Sequence, residues 1–164
     1  MLLEHFPITI SEDEVLSERD LLKNHEAGLF MNDVKSVRWI IVHCSASRED
    51  RDYTVEQMLR DHKARGFRTI GYHYLVYLDG TVVRGRREEE IGAHCLGQNA
   101  GSIGVCYVGG LDSRGNPKDT RTAAQRVALR NLVEGLQRRY PHATLHGHNE
   151  FAAKACPCFK ISDL

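Results

Sequence analysis

From Val37 to His43 the chain is an almost unbroken apolar run rich in β-branched residues. A run this short predicts a buried strand rather than a helix. It puts His43 at the strand's C-terminal edge, where the sites of α/β sheets form. The polar stretch Ser45 to Asp52 reads as a loop. Thr54 with Gln57 then makes a capping box, and Val55, Met58, Leu59 and His62 mark one helical face that Gly66 ends. Ile70 to Leu78 reads as a second strand, and Asp79-Gly80 turns it into Thr81-Val82-Val83-Arg84, a strong hairpin signal. Residues 85–102 are rich in Gly, Asn and charge, and Ser102 to Val108 is another apolar strand. After a turn-rich loop from Leu111 to Asp119, Thr122 and Gln125 form a second capping box. The helix it opens runs to about Tyr140, shows Ala124, Ala128, Leu132, Val133 and Leu136 on one face, and is stopped by Pro141. Ala143 to His146 is a short last strand.

Upstream of all this, Ser11 and Glu14 frame a helix start ahead of Val15, Leu16, Leu21 and Leu22. The expected organisation is therefore a helical extension over residues 1–36, docked on a body over residues 37–164. The body is a single α/β domain, a central mixed sheet of about four to six strands flanked by helices.

Charge changes the picture only at the N-terminus. The formal net charge is zero, but residues 1–36 hold eight acids against three bases, a net of −5, and the remainder carries +5. No basic helix or aromatic–basic interleaving is present, so a nucleic-acid partner is not expected. No apolar run reaches the length of a membrane span, and the first residues lack the basic and apolar regions of a signal peptide. Five cysteines without paired spacing predict reduced thiols rather than a disulfide framework.

The candidate chemistry is concentrated in His146-Gly-His-Asn-Glu-Phe-Ala-Ala-Lys-Ala-Cys-Pro-Cys158. Neutral imidazole and thiolate together suit zinc, which makes His148 and Cys156 candidate ligands. Two ligands do not close a site, and His43 is the best third. Three protein ligands would leave a fourth position for water, the arrangement of a catalytic zinc. Taken singly, each residue has a plainer reading: His43 as a satisfied core histidine, His148 as a surface one, Cys156 as a small hydrophobe. His146 is the rival ligand, since it shares a strand face with His148 if the chain there is extended. Cys158 makes a weak C-x-C signal with Cys156. Cys44 and Cys106 read as core, His62 and His73 as structural, and the run Glu88-Glu89-Glu90 as a solvated charged face.

Several blocks in order resemble a known family: Val42-His43-Cys44-Ser45-Ala46, Gly71-Tyr72-His73-Tyr74, Asp79-Gly80-Thr81-Val82, Ile91-Gly92-Ala93-His94, Asn99 to Val105, and His148 to Pro157. Together they are similar to the type 2 N-acetylmuramoyl-L-alanine amidases, the family of the small zinc amidases of T-odd coliphages, related to the peptidoglycan recognition proteins. The resemblance spans residues 37 to about 160. It implies a Zn2+ held by His43, His148 and Cys156, Tyr72 and Lys154 as the catalytic pair, and His94 as a substrate contact. It further implies hydrolysis of the amide between the lactyl group of N-acetylmuramic acid and L-alanine, with peptidoglycan or muropeptides as partner and an endolysin-like role at the cell wall. A monomer is expected. The missing signal peptide predicts cytoplasmic synthesis, which fits an endolysin released by a holin and fits equally a fragment given without its export signal or an enzyme recycling wall fragments inside the cell. An extended segment would point Lys154 and Cys156 the same way. The proton donor to the leaving amine stays open between Tyr72, Lys154 and water. Two other classes compete: a peptidoglycan-binding module without catalysis, and a hydrolase with Cys44 or Cys156 as nucleophile.

Overall fold

The computed structural model describes residues 2–3 and 37–164. The helix expected after Ser11, and its docking, lie outside the described residues. Among the described residues, eight strands and two α-helices occur in chain order: β1 (Leu2–Leu3), β2 (Trp39–Cys44), β3 (Ser47–Arg48), α1 (Val55–Ala64), β4 (Tyr74–Val76), β5 (Val82–Arg84), β6 (Ser102–Tyr107), β7 (Gly110–Leu111), α2 (Ala123–Arg139) and β8 (Thr144–Gly147). Six strands form one sheet in the order β1-β5-β4-β6-β2-β8, and β3 pairs with β7 beside it. All pairings in the large sheet are parallel except the β4–β5 hairpin, so the sheet is mixed as expected.

Alternation along the strands sorts side chains to two faces. Ile40, Val42 and Cys44 of β2 join Tyr74, Val76, Ile103, Val105 and Tyr107 against Leu129, Val133 and Leu136 of α2. On the other face Leu75, Val83 and Cys106 pack with Val55 and Met58 of α1. That cluster draws on β4, β5 and β6 only, and His43 stands on the same face beyond it, on β2.

Both capping boxes are present, with the Thr54 and Thr122 hydroxyls accepting from the backbone of Gln57 and Gln125, and each glutamine answering the cap's own N–H. The buried stripe of α2 is Gln125, Leu129, Val133 and Leu136; Ala128 and Leu132 lie at its margin and Ala124 is exposed. The expected face is therefore rotated. The cause is Gln125, whose side chain accepts from Thr122 N–H and donates to the carbonyls of Val76 and Val108. With every polar atom satisfied it is buried at little cost, which hydrophobic patterning does not register.

The strand expected from Ile70 to Leu78 is regular only over Tyr74–Val76. Ahead of it the backbone finds other partners, Gly71 N–H donating to His62 Nδ1 and Ala93 N–H to Gly71 O. Gly71 admits no side chain, because a Cβ there would stand 2.1 Å from Ala93 O.

The glutamate run is not a solvated face. Glu88 and Glu90 are 6% and 7% exposed, and only Glu89 points outward. Glu88 accepts from the hydroxyls of Tyr74 and Tyr140 and pairs with Arg139, while Glu90 pairs with Arg68 and Arg87. These partners tie the 85–102 segment to β4 and to the C-terminal end of α2, and that segment carries His94. Among the described residues, no helix is long and apolar enough to cross a membrane.

Candidate metal centre

Strand register builds the site. β2 and β8 are parallel neighbours with Val42 opposite Gly147, so the next residue on each, His43 and His148, meet at the strand ends. Their ring centroids are 4.6 Å apart. His148 opens a short 3-10 turn, His148–Glu150, and the chain then loops back to Cys156. Three contacts hold that loop: Asn149 N–H to Cys156 O at 2.8 Å, Tyr107 hydroxyl to Pro157 O at 2.6 Å, and Cys44 N–H to Cys156 Sγ at 3.2 Å. One donor atom from each of His43, His148 and Cys156 lies within 4.8 Å of the other two. The His43 atom facing the sulfur is Nδ1, at 3.9 Å from Cys156 Sγ.

The donor set fits a zinc ion. In a tetrahedral site with ordinary bond lengths, nitrogen and sulfur donors sit about 3.5 Å apart, so closure needs movements on the order of 1 Å or less. His43 is buried, and that burial, with the neighbouring His148 and Lys154 charges, holds its pKa well below the usual imidazole range. Burial and then Lys154 lower His148 as well. Both rings are thus neutral near pH 7, the form that donates a lone pair to a metal.

Tyr72 and Lys154 flank this trio. The Tyr72 ring is partly buried and lies 5.1 Å from the His43 ring. Burial first, then the Cys106 and Cys156 sulfurs, push its pKa well above that of a free phenol, so it remains a protonated donor. Lys154 is exposed, with its ammonium near enough for its charge to act on His43, His148 and Cys95. The segment around it is bent rather than extended, so the alternation argument for Lys154 and Cys156 does not apply, though their proximity to the site stands.

His146 stands apart from the cluster. Its Nδ1 pairs with Glu150 at 2.9 Å and its Nε2 meets Thr144 Oγ1 at 2.6 Å. The chain turns at His148, so the extended geometry that would align the two imidazoles is absent. Cys44 packs in the core, and its Sγ is 3.9 Å from Cys158 Sγ. Its hydrogen bond with Cys156, then burial, raise its pKa far above that of a free thiol, which disfavours it as a nucleophile. Cys106 is wholly buried. His62 and His73 have structural partners, with His73 Nδ1 accepting from Gly104 N–H and its Nε2 meeting Glu90 O.

His94 lies against the cluster. Its Nδ1 is 2.8 Å from His43 Nε2, and its Nε2 is 3.1 Å from Ser102 Oγ. Asn99 Oδ1 accepts from the backbone N–H of both His94 and Cys95, fixing the turn that presents the ring. In the sequence, Asn99 and Ser102 stand only within a motif, with no role of their own. The spacing alone carries no signal of this, because His43 and His94 are 51 residues apart.

The chain is similar to known proteins. The family model for N-acetylmuramoyl-L-alanine amidase matches residues 33–159. The endolysin of Klebsiella phage KP32 is 43% identical over 122 residues, covering 74% of this chain and 81% of that one. The endolysin of Escherichia phage T7 has the same identity over the same length and coverage. Among solved structures, the endolysin amidase LysCS from Clostridium intestinale URNW superposes with a TM-score of 0.65 at 29% identity, over 74% of this chain and 75% of that one. A sheet of this topology, a family match over most of the body and phage relatives at this identity lead to one conclusion: the chain belongs to the N-acetylmuramoyl-L-alanine amidase family.

Proposed function

We propose that this chain is a zinc-dependent N-acetylmuramoyl-L-alanine amidase, with His43, His148 and Cys156 as the metal ligands. It cuts the amide between the lactyl group of N-acetylmuramic acid and L-alanine in bacterial peptidoglycan. The observation that carries the reading is the convergence of two neutral imidazoles and a hydrogen-bonded sulfur within 4.8 Å, beside a lysine ammonium and a protonated phenol. When bound, zinc supplies a Lewis acid that lowers the pKa of a bound water toward about 7 and polarises the scissile carbonyl.

The chain's own groups do the rest. Lys154 brings a positive charge to the rim of the site, and Tyr72 brings a neutral O–H donor to its wall. Both suit the negative charge that grows on the carbonyl oxygen as the amide is attacked. Burial of His43 removes competing water from one side of the ligand set, which strengthens these interactions. The substrate is a wall polymer or its muropeptide fragments, and the place of action is the cell wall.

The test joins metal analysis to product analysis. Purified protein is expected to hold about one zinc per chain and to release L-alanyl peptides from muropeptides, as read by mass spectrometry. Chelation should abolish that release and added zinc restore it. Cys156→Ser should lose most of the zinc, because an alcohol does not ionise near neutral pH as a coordinated thiol does. Full activity in metal-stripped protein refutes the metal reading. Muropeptide binding without cleavage by the zinc-loaded protein would favour a recognition module instead.

A further inference from the structure

We infer that His94 is a positioning residue for the metal centre, acting through His43, rather than a group that contacts substrate. The inference rests on the ligand set proposed above and concerns what holds that set in place.

Protons can be placed along one chain of contacts. Asn99 O is a carbonyl and can only accept. Ser102 Oγ lies 3.2 Å from it and is placed as its donor. Ser102 Oγ therefore accepts from His94 Nε2 at 3.1 Å. With Nε2 turned to Ser102 as the donor, Nδ1 is the ring atom that faces His43 and is placed to accept. His43 Nε2, 2.8 Å away, must be the donor to it. This leaves His43 Nδ1 unprotonated, and Nδ1 is the atom that faces Cys156 Sγ. A backbone carbonyl 56 residues along thus selects the tautomer in which His43 binds metal. Partners of this type orient ligating histidines in metal sites generally, and their loss costs metal affinity.

The surroundings of the ring agree with a fixed role. Gly92 and Gly104 flank it, and a Cβ on either would fall 2.6 or 2.7 Å from His94 Cδ2. The backbone N–H of His94 is held by Asn99 Oδ1 at 2.9 Å. Both ring nitrogens are engaged by protein atoms, which leaves no ring nitrogen for a sugar or peptide. A hydrogen bond from the ring to substrate would need at least one.

The experiment measures zinc affinity by competition with a chromogenic chelator, alongside kcat and KM on muropeptides. Wild-type protein is measured first; failure to bind zinc there would remove the ligand set itself, whereas a defect confined to the variants bears on His94. His94→Ala is expected to weaken zinc binding by about 10- to 100-fold, with Ser102→Ala shifting it in the same direction by less. His94→Gln, whose amide oxygen can accept from His43 Nε2, is expected to recover part of the affinity and guards against a simple folding defect. Nitrogen-15 imidazole spectra of wild-type protein should show His43 protonated on Nε2. Zinc affinity within twofold of wild type in folded His94→Ala, with KM raised and kcat kept, would overturn the inference and restore the substrate-contact role. A His43 protonated on Nδ1 in metal-free protein would overturn it as well.

Discussion

Replacing Glu88 with alanine removes the acceptor that three donors share. The residue is 6% exposed, and Tyr74 and Tyr140, whose hydroxyls it accepts, are 3% and 6% exposed. Each phenol left without a partner in the interior costs about 1–3 kcal/mol. Arg139 adds little, because its side chain is 53% exposed and ion pairs in solvent are worth about 0–1 kcal/mol. The expected loss is therefore about 3–5 kcal/mol, the range found when one partner of a buried pair is removed. For a chain of this size that is a fall in Tm on the order of 10 °C. Glu89→Ala, one residue away on the exposed side, should stay within about 0.5 kcal/mol of wild type.

Urea denaturation at pH 7 and fixed zinc, followed by circular dichroism, measures both variants; the midpoint should move for Glu88→Ala with the slope unchanged. The pH dependence has a definite sign. Burial alone would raise the Glu88 pKa, but the hydrogen bonds from Tyr74, Tyr140 and Arg139 outweigh it and the net shift is downward. Its stabilisation is complete above the unfolded value of about 4.3 and is lost as pH falls through the lower folded value. The gap between wild type and Glu88→Ala should accordingly close in acid. Equal costs for the two alanine variants, or a gap that widens below pH 4, would refute the reasoning.

Lys154→Ala and Tyr72→Phe should keep zinc and fold while lowering kcat by roughly 10²–10³, the usual cost of one lost oxyanion donor; a change confined to KM would assign them to ground-state binding. His62 and His73 are held to a pKa of about 4, mainly by burial, below the unfolded value of about 6.5. Their neutral forms support the fold fully above that value, so calorimetry should find Tm falling between pH 7 and pH 5, and a flat Tm would contradict the assignment. For residues 1–36, which carry −5 against +5 on the body, we propose docking on the domain. Slow proteolysis within residues 12–30 is expected, and rapid cleavage with the body intact would rule docking out. If docking holds, a truncation that raises amidase activity points to shielding of the groove, and one that only lowers Tm points to a structural role.

Local chemistry was legible in the chain, and long-range chemistry was legible only where resemblance supplied it. Thr54 with Gln57 and Thr122 with Gln125 could be read because a capping box closes within four residues. β2 and β6 could be read because a strand buried on both faces is apolar at nearly every position. Glu88 misled because its acceptor role depends on Tyr74 and Tyr140, 14 and 52 residues away, while its neighbours Glu89 and Glu90 made the local pattern look solvated. Gln125 misled for the same reason, its satisfaction coming from carbonyls on two strands.

The metal centre combines both cases. His148 and Cys156 share one short segment and announced themselves, whereas His43 meets them only because β8 lies beside β2 with Gly147 opposite Val42. Shifting that register by one residue would turn the β8 side chains to the other face, and by two would carry His148 about one strand repeat, roughly 6.6 Å, along β2. Either shift exceeds the movement of about 1 Å that closure on an ion allows. The apolar alternation of β2 and β8 that fills the α2-facing core is thus also what sets the ligand geometry. Core substitutions at Ile40 or Leu145 should therefore be felt at the metal, although neither residue belongs to the ligand set.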